Sequence, residues 1–202
     1  MPKTKWLAYA GQSNALQASL PAPPSGCAFS RVGISSAPIG AGHGPWPNGW
    51  GSSDPNGWRH RLASEALVHR ATLASPPAIL WFHGESDALG QNEDYATEMI
   101  AFIANMDSRV GRSDIVWPII QLNIAFADYV GIPGADTGTP IIRAQYAPIL
   151  AAYPTRVRIV DVDDIVPGED GTAHYLTAQH ATIFGRVKEA IADMTSDASW
   201  DP

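Results

Sequence analysis

Short apolar runs alternate along this chain with segments of helical periodicity, and that alternation constrains the fold more than any other feature. Strands are expected at 5–10, 31–36, 77–83, 114–122 and 156–162. Pro118 lies inside the fourth run. A proline cannot donate to a ladder, so that strand is expected to begin after it. Between the runs, Tyr95, Met99, Phe102, Ile103 and Met106 repeat at helical spacing, as do Ile142, Tyr146, Ile149, Leu150 and Tyr153. Phe184, Val187, Ile191 and Met194 mark a third helix with Thr177 as its N-cap, and a weaker pattern covers 58–73. Strands separated by helices imply a mostly parallel sheet covered on both faces. Five strands fit a flavodoxin-like three-layer α/β/α sandwich.

At 202 residues, with no repeat and no linker, the chain is expected to be one domain, 1–202. A net charge of −7 disfavours nucleic acid or an anionic membrane as the main partner. Cys27 is the only cysteine, so it is read as a buried free thiol. Met1–Lys5 leads straight into the first strand. No apolar leader core or membrane-length stretch occurs, so no standard secretory signal and no membrane span are expected.

Three segments carry chemistry. Ala10-Gly11-Gln12-Ser13-Asn14 follows the first apolar run, and Gly11 permits a tight turn that presents Ser13 at a strand's carboxyl end. Trp81-Phe82-His83-Gly84-Glu85-Ser86-Asp87 follows the third run, and Asp170-Gly171-Thr172-Ala173-His174 follows the last. A serine hydroxyl becomes nucleophilic only when a neighbouring base takes its proton. His174, in a polar loop ahead of the final helix, is the candidate base. His180 falls inside that helix, where a packing or surface role is expected.

In these blocks the chain resembles the SGNH hydrolases, above all their acetyl xylan esterase and sialate O-acetylesterase branch. That branch reads Gly-Gln-Ser-Asn, then Trp-x-Gln-Gly-Glu-Ser-Asp, then Asp-x-x-His. The resemblance runs from Gly11 to about Gly185 in family order, with two departures. His83 stands where the branch has Gln, and the spacing from Asp170 to His174 is one residue longer. The resemblance implies a Ser-His-acid triad of Ser13, His174 and either Asp170 or Glu85. It also implies an oxyanion hole made by the Ser13 N–H and a second-block glycine, Gly40 or its neighbour Gly42, completed by His83 or Ser86.

Other readings stay open beside this one. Ser86 imitates a nucleophile elbow, but that belongs to an α/β-hydrolase with a larger strand inventory. Asp87, Asp161, Asp163 and Asp164 are read as structural. Trp46, Trp50 and Trp58 offer either flat platforms for pyranose rings or a small loop core. Two long connections, 37–57 and about 124–139, are expected to be functional loops. No metal-ligand spacing and no phosphate-binding glycine loop occurs, so neither metal nor cofactor is expected. The expected activity is removal of O-acetyl groups from a carbohydrate. Alternatives are a small-acyl lipase or thioesterase on the same triad, or an inactive carbohydrate-binding module. The oligomeric state is not indicated.

Overall fold

The computed structural model describes residues 5–12, 14–15, 25–33, 37–39, 50, 58–70, 75–130, 134–167 and 174–200. Five strands are present: β1 (Lys5–Gly11), β2 (Cys27–Gly33), β3 (Ala78–Phe82), β4 (Trp117–Ile120) and β5 (Val157–Val160). All neighbours are parallel, in the order β2-β1-β3-β4-β5. The helices are α1 (Trp58–Arg70), α2 (Glu85–Leu89), α3 (Tyr95–Val110), α4 (Phe126–Val130), α5 (Ala135–Ala144), α6 (Tyr146–Ala152) and α7 (Thr177–Thr195). A 3₁₀ turn, Ala198–Trp200, follows.

Strand alternation divides the interior into two cores. Trp6, Ala8, Ala10, Ile79, Trp81, Trp117 and Ile119 face α1, α3, α5 and α6. Leu7, Tyr9, Leu80, Phe82 and Ile120 face α7 and Trp200. Both faces are covered, which explains why β1 and β3 are buried at every position rather than at alternate ones.

The second strand, Cys27–Gly33, begins four residues before the expected 31–36, of which 34–36 lie outside the described residues. Its polar Ser30 hid it: the hydroxyl accepts from Trp6 Nε1 at 3.0 Å and donates to Glu65 Oε2 at 2.8 Å, so a polar residue is satisfied in a buried position. The fourth strand includes Pro118, against expectation. Trp117 N–H donates to Arg156 on the β5 side, so the missing N–H of the next residue falls on the β3 side. There the ladder has a gap between the Ala78–Val116 bridge and the Trp81–Ile119 pair. The proline is accommodated by omitting a rung.

The helix expected across 142–153 is two helices that meet at Gln145. Pro148 could not donate to the Ala144 carbonyl in a continuous helix, but it is tolerated in the first turn of a new one. The expected loop at 124–139 contains α4 and the start of α5. Packing overrides the low helix propensity there. α5 lies so close on α2 that a Cβ at Gly138 would sit 1.7 Å from the Ala88 carbonyl oxygen. The N-cap of α7 is Leu176 rather than Thr177, and Gln179 Oε1 accepts the Leu176 N–H at 2.7 Å. Cys27 is a buried free thiol, as expected.

Candidate active site

The sheet order reverses between β1 and β3, and the crevice beyond the carboxyl ends of those strands is where open α/β sheets bind ligands. Gly11 ends β1 with φ +139, and a Cβ there would lie 1.9 Å from the Phe82 carbonyl oxygen. Only glycine allows this crossing. The Gln12 N–H then donates to that same carbonyl at 2.9 Å. The chain is thus pinned across the end of β3 immediately before Ser13. Ser13 itself lies outside the described residues, as do Gly40, Gly42, Trp46 and Asp170.

The residues on either side of Ser13 are both buried amides, and both act as braces. Gln12 Nε2 donates to the Ala37 carbonyl at 2.7 Å, while Gln12 Oε1 accepts the N–H groups of Glu85 (3.0 Å) and Ser86 (3.3 Å). Asn14 Nδ2 donates to Glu85 Oε1 at 3.0 Å, and Asn14 Oδ1 accepts the Tyr175 N–H at 3.1 Å. One amide, next to Ser13 in sequence, therefore bonds both α2 and the residue that follows His174. His174 is itself half-buried. The adjoining cleft is lined in part by Asn14, Glu85, Leu122, Asn123, Phe126 and Tyr175. Asn123 Nδ2 donates to the Val162 carbonyl at 2.7 Å, which holds the segment after β5 against the end of β4.

His83 and Asp87 form the buried support of the 37–39 segment. His83 Nε2 lies 2.7 Å from the Ala37 carbonyl, so this nitrogen carries the hydrogen. Its Nδ1 faces Asp87 Oδ2 at 3.4 Å. Asp87 also accepts the Ile39 N–H (3.2 Å to each oxygen) and Asn92 Nδ2 (2.8 Å). The His83 ring stacks on Trp81. Burial lowers the His83 pKa to about 3, against a raising effect of its Ala37 bond. Burial raises that of Asp87 to about 7, partly opposed by the bonds from Asn92 and Ile39. The folded pair thus holds one proton, on Asp87, through mildly acidic pH.

This arrangement has a testable consequence for stability. Asp87, with its raised pKa, favours folding at low pH, and that contribution is lost as pH rises from roughly 4 to about 7. His83, with its lowered pKa, acts in the opposite sense: its contribution is present above roughly 6.5 and is lost as pH falls toward about 3. The two slopes offset each other. Replacing His83→Gln removes one of them, so between roughly pH 4 and 6.5 the variant should lose about 1.4 kcal/mol per pH unit relative to the native protein. Urea unfolding across that range measures it. Parallel slopes for the two proteins would show that the pair does not hold the proton.

Glu85 Oε1 is held by Asn14, but Oε2 is buried with no hydrogen-bond partner, and burial raises the pKa of this carboxyl. His180 packs between Phe82 and Tyr175 with ring centroids 6.1 and 6.0 Å away, and burial lowers its pKa to about 4. It serves packing, in line with the sequence reading. Ser86 is buried within α2. The substrate-platform reading of Trp50 is corrected: the ring has no exposed surface and packs edge-on against Trp81 at 4.8 Å and Phe102 at 5.9 Å. Its bulk fills the core face of the sheet. Asp163 pairs with Arg143 and Asp164 with Arg186, structural roles in both cases.

Sequence reasoning missed Gln12, Asn14 and Asn92 as braces, and it read Asp87 as structural without foreseeing its buried bonds to Ile39 and Asn92. The available signal was two amides flanking one serine directly after a buried strand, where chance polarity is costly. Among the described residues, no three His, Cys, Asp or Glu gather as a metal site, and no helix is long and apolar enough to cross a membrane.

The all-parallel sheet and its strand order are those of an SGNH-type α/β hydrolase. The chain belongs to the family described as carbohydrate esterase, sialic acid-specific acetylesterase, whose model matches residues 47–192. That match begins after the Ser13 turn. A solved protein from Arabidopsis thaliana is similar at 14% identity and TM-score 0.67, over 96% of this chain and 100% of that one. A carbohydrate acetylesterase from Xanthomonas citri is similar at 15% identity and TM-score 0.61, over 95% of this chain but 56% of that one. A lipolytic G-D-S-L family protein from Veillonella parvula gives 14% identity and TM-score 0.54, over 92% and 97%. No curated protein matches in sequence.

Proposed function

We propose that this chain is a serine esterase that removes O-acetyl groups from a carbohydrate. The observation that supports the reading is the Asn14 bridge: Asn14, next to Ser13 in sequence, bonds both Glu85 and the N–H of Tyr175, the residue after His174. Ser13 Oγ attacks the acetyl carbonyl carbon while His174 takes its proton. The N–H groups of Ser13 and Gly40 receive the oxyanion as the tetrahedral intermediate forms. His174 returns the proton to the departing sugar oxygen, leaving an acetyl-serine. Water then attacks with His174 again as base, releasing acetate and restoring Ser13. No cofactor enters these steps.

Asp170 is assigned as the acid that orients His174, because Glu85 is already committed to Asn14. His83 is assigned a positioning role: its ring hydrogen is bonded to Ala37, so it steadies the segment leading to Gly40 rather than bonding the oxyanion itself. Asp87 steadies the same segment through the Ile39 N–H. Trp46 and Trp58 remain candidate platforms for a sugar ring.

The family supports an acetyl substrate, and release of p-nitrophenol from its acetate ester tests the esterase reading directly. No turnover would favour a binding module. The acetyl ester should be cleaved at least about tenfold faster than the octanoyl ester, since a pocket matched to a short acyl group gains nothing from a chain it cannot bury. Equal or faster cleavage of the long chain would transfer the assignment to a lipase.

A further inference from the structure

We propose that Glu85 is a positioning residue that works as an uncharged acid, accepting the Asn14 amide so that Asn14 holds the Ser13 turn against the segment bearing His174. The proposal rests on the serine-esterase reading above. Glu85 sits where the resemblance allowed a triad carboxylate, which would have to be charged to stabilise an imidazolium. Its surroundings do not suit a charge. Among the described residues, Oε1 receives one hydrogen bond from another side chain, the neutral Asn14 amide, the Glu85 backbone N–H adds the smallest effect in favour of charge, and Oε2 is buried with no hydrogen bond.

Among the described residues, the groups that face Glu85 are mostly acids and phenols. Asp87 lies on the same helix, and its partner Asn92 also bonds Glu98 of α3. Tyr95 of α3, Tyr146 of α6 and Tyr175 ahead of α7 also face this carboxyl, and His174 adjoins Tyr175. His83 is kept neutral by burial. Among the described residues, no lysine or arginine pairs with Glu85 or Asp87. An ionised carboxylate here would be a buried charge with little compensation. Burial raises the Glu85 pKa in the same direction. As an acid, Glu85 keeps a carbonyl oxygen for Asn14 and places an O–H at the cleft wall.

Glutamine reproduces that neutral shape, so Glu85→Gln separates shape from charge. With p-nitrophenyl acetate, Glu85→Gln should keep kcat within about threefold of the native enzyme, while Glu85→Ala should lower it about 10- to 100-fold with KM little changed. Any decline of native kcat on the alkaline side that reports Glu85 ionisation should be absent from Glu85→Gln. A Gln variant as impaired as Ala, or one that keeps an alkaline decline like the native enzyme's, would overturn the proposal. Should Glu85→Ala fail to fold, the activity and pH profile of Glu85→Gln decide the matter alone. Ser13→Ala, assayed alongside, separates the two ideas. Activity surviving in Ser13→Ala sinks the serine-esterase reading, whereas an inactive Ser13→Ala together with an inactive Glu85→Gln sinks only the role given to Glu85.

Discussion

Ser13→Ala is expected to abolish hydrolysis of acetyl esters, with kcat falling by about 10⁴-fold or more, while Ser86→Ala retains measurable activity. The two serines resemble each other in sequence, since each follows a strand and a glycine. Their surroundings differ. Gln12 and Asn14, the neighbours of Ser13 in sequence, are anchored to α2, to Ala37 and to Tyr175 at the switch point of the sheet. Ser86 is buried in the second position of α2, where its N–H already faces Gln12. Covalent labelling with a fluorophosphonate, followed by peptide mapping, should place the adduct on Ser13. A labelled Ser86 together with an active Ser13→Ala enzyme would refute the SGNH-type mechanism for this chain.

Asp170→Asn should produce the second large loss, a fall in kcat of roughly 10²- to 10⁴-fold with KM little changed. The amide cannot stabilise an imidazolium, and it favours the wrong ring tautomer, yet the nucleophile and the oxyanion donors remain in place. Steady-state kinetics on one acetyl ester, run beside Glu85→Gln, ranks the two carboxyls. If Glu85→Gln proved the more damaging, Glu85 would be the triad acid, and the carboxyl buried beside Asn14 would have to ionise during turnover.

The positions of the chemical blocks were legible because chemistry and topology leave local marks. A glycine must stand where β1 turns under the Phe82 carbonyl, and a polar Gln-Ser-Asn run directly after the first apolar run is conspicuous. Trp50 shows the opposite case. An indole in a loop rich in Gly and Pro reads equally well as a sugar platform or as packing, and only its enclosure by Trp81 and Phe102 decides for packing. Pro118 misled for a related reason. The rule against proline in an inner strand concerns hydrogen bonds to neighbours, and which neighbour faces the missing N–H depends on the assembled sheet.

By itself the sequence determined the layered α/β class, the parallel sheet, and the segments that supply serine, histidine and carboxyl groups. Periodicity, strand-end turns and residue chemistry are properties of short stretches of chain. Only the tertiary structure decided which polar groups meet: Gln12 with Ala37, Asn14 with both Glu85 and Tyr175, and His83 with Asp87 beneath Ile39. Asn14 and Tyr175 stand 161 positions apart. Their contact, and the burial that sets the charge of each acid, arise when β1 and β3 come side by side and the chain ahead of α7 folds back over their ends, because hydrogen-bond partners and desolvation depend on proximity in space.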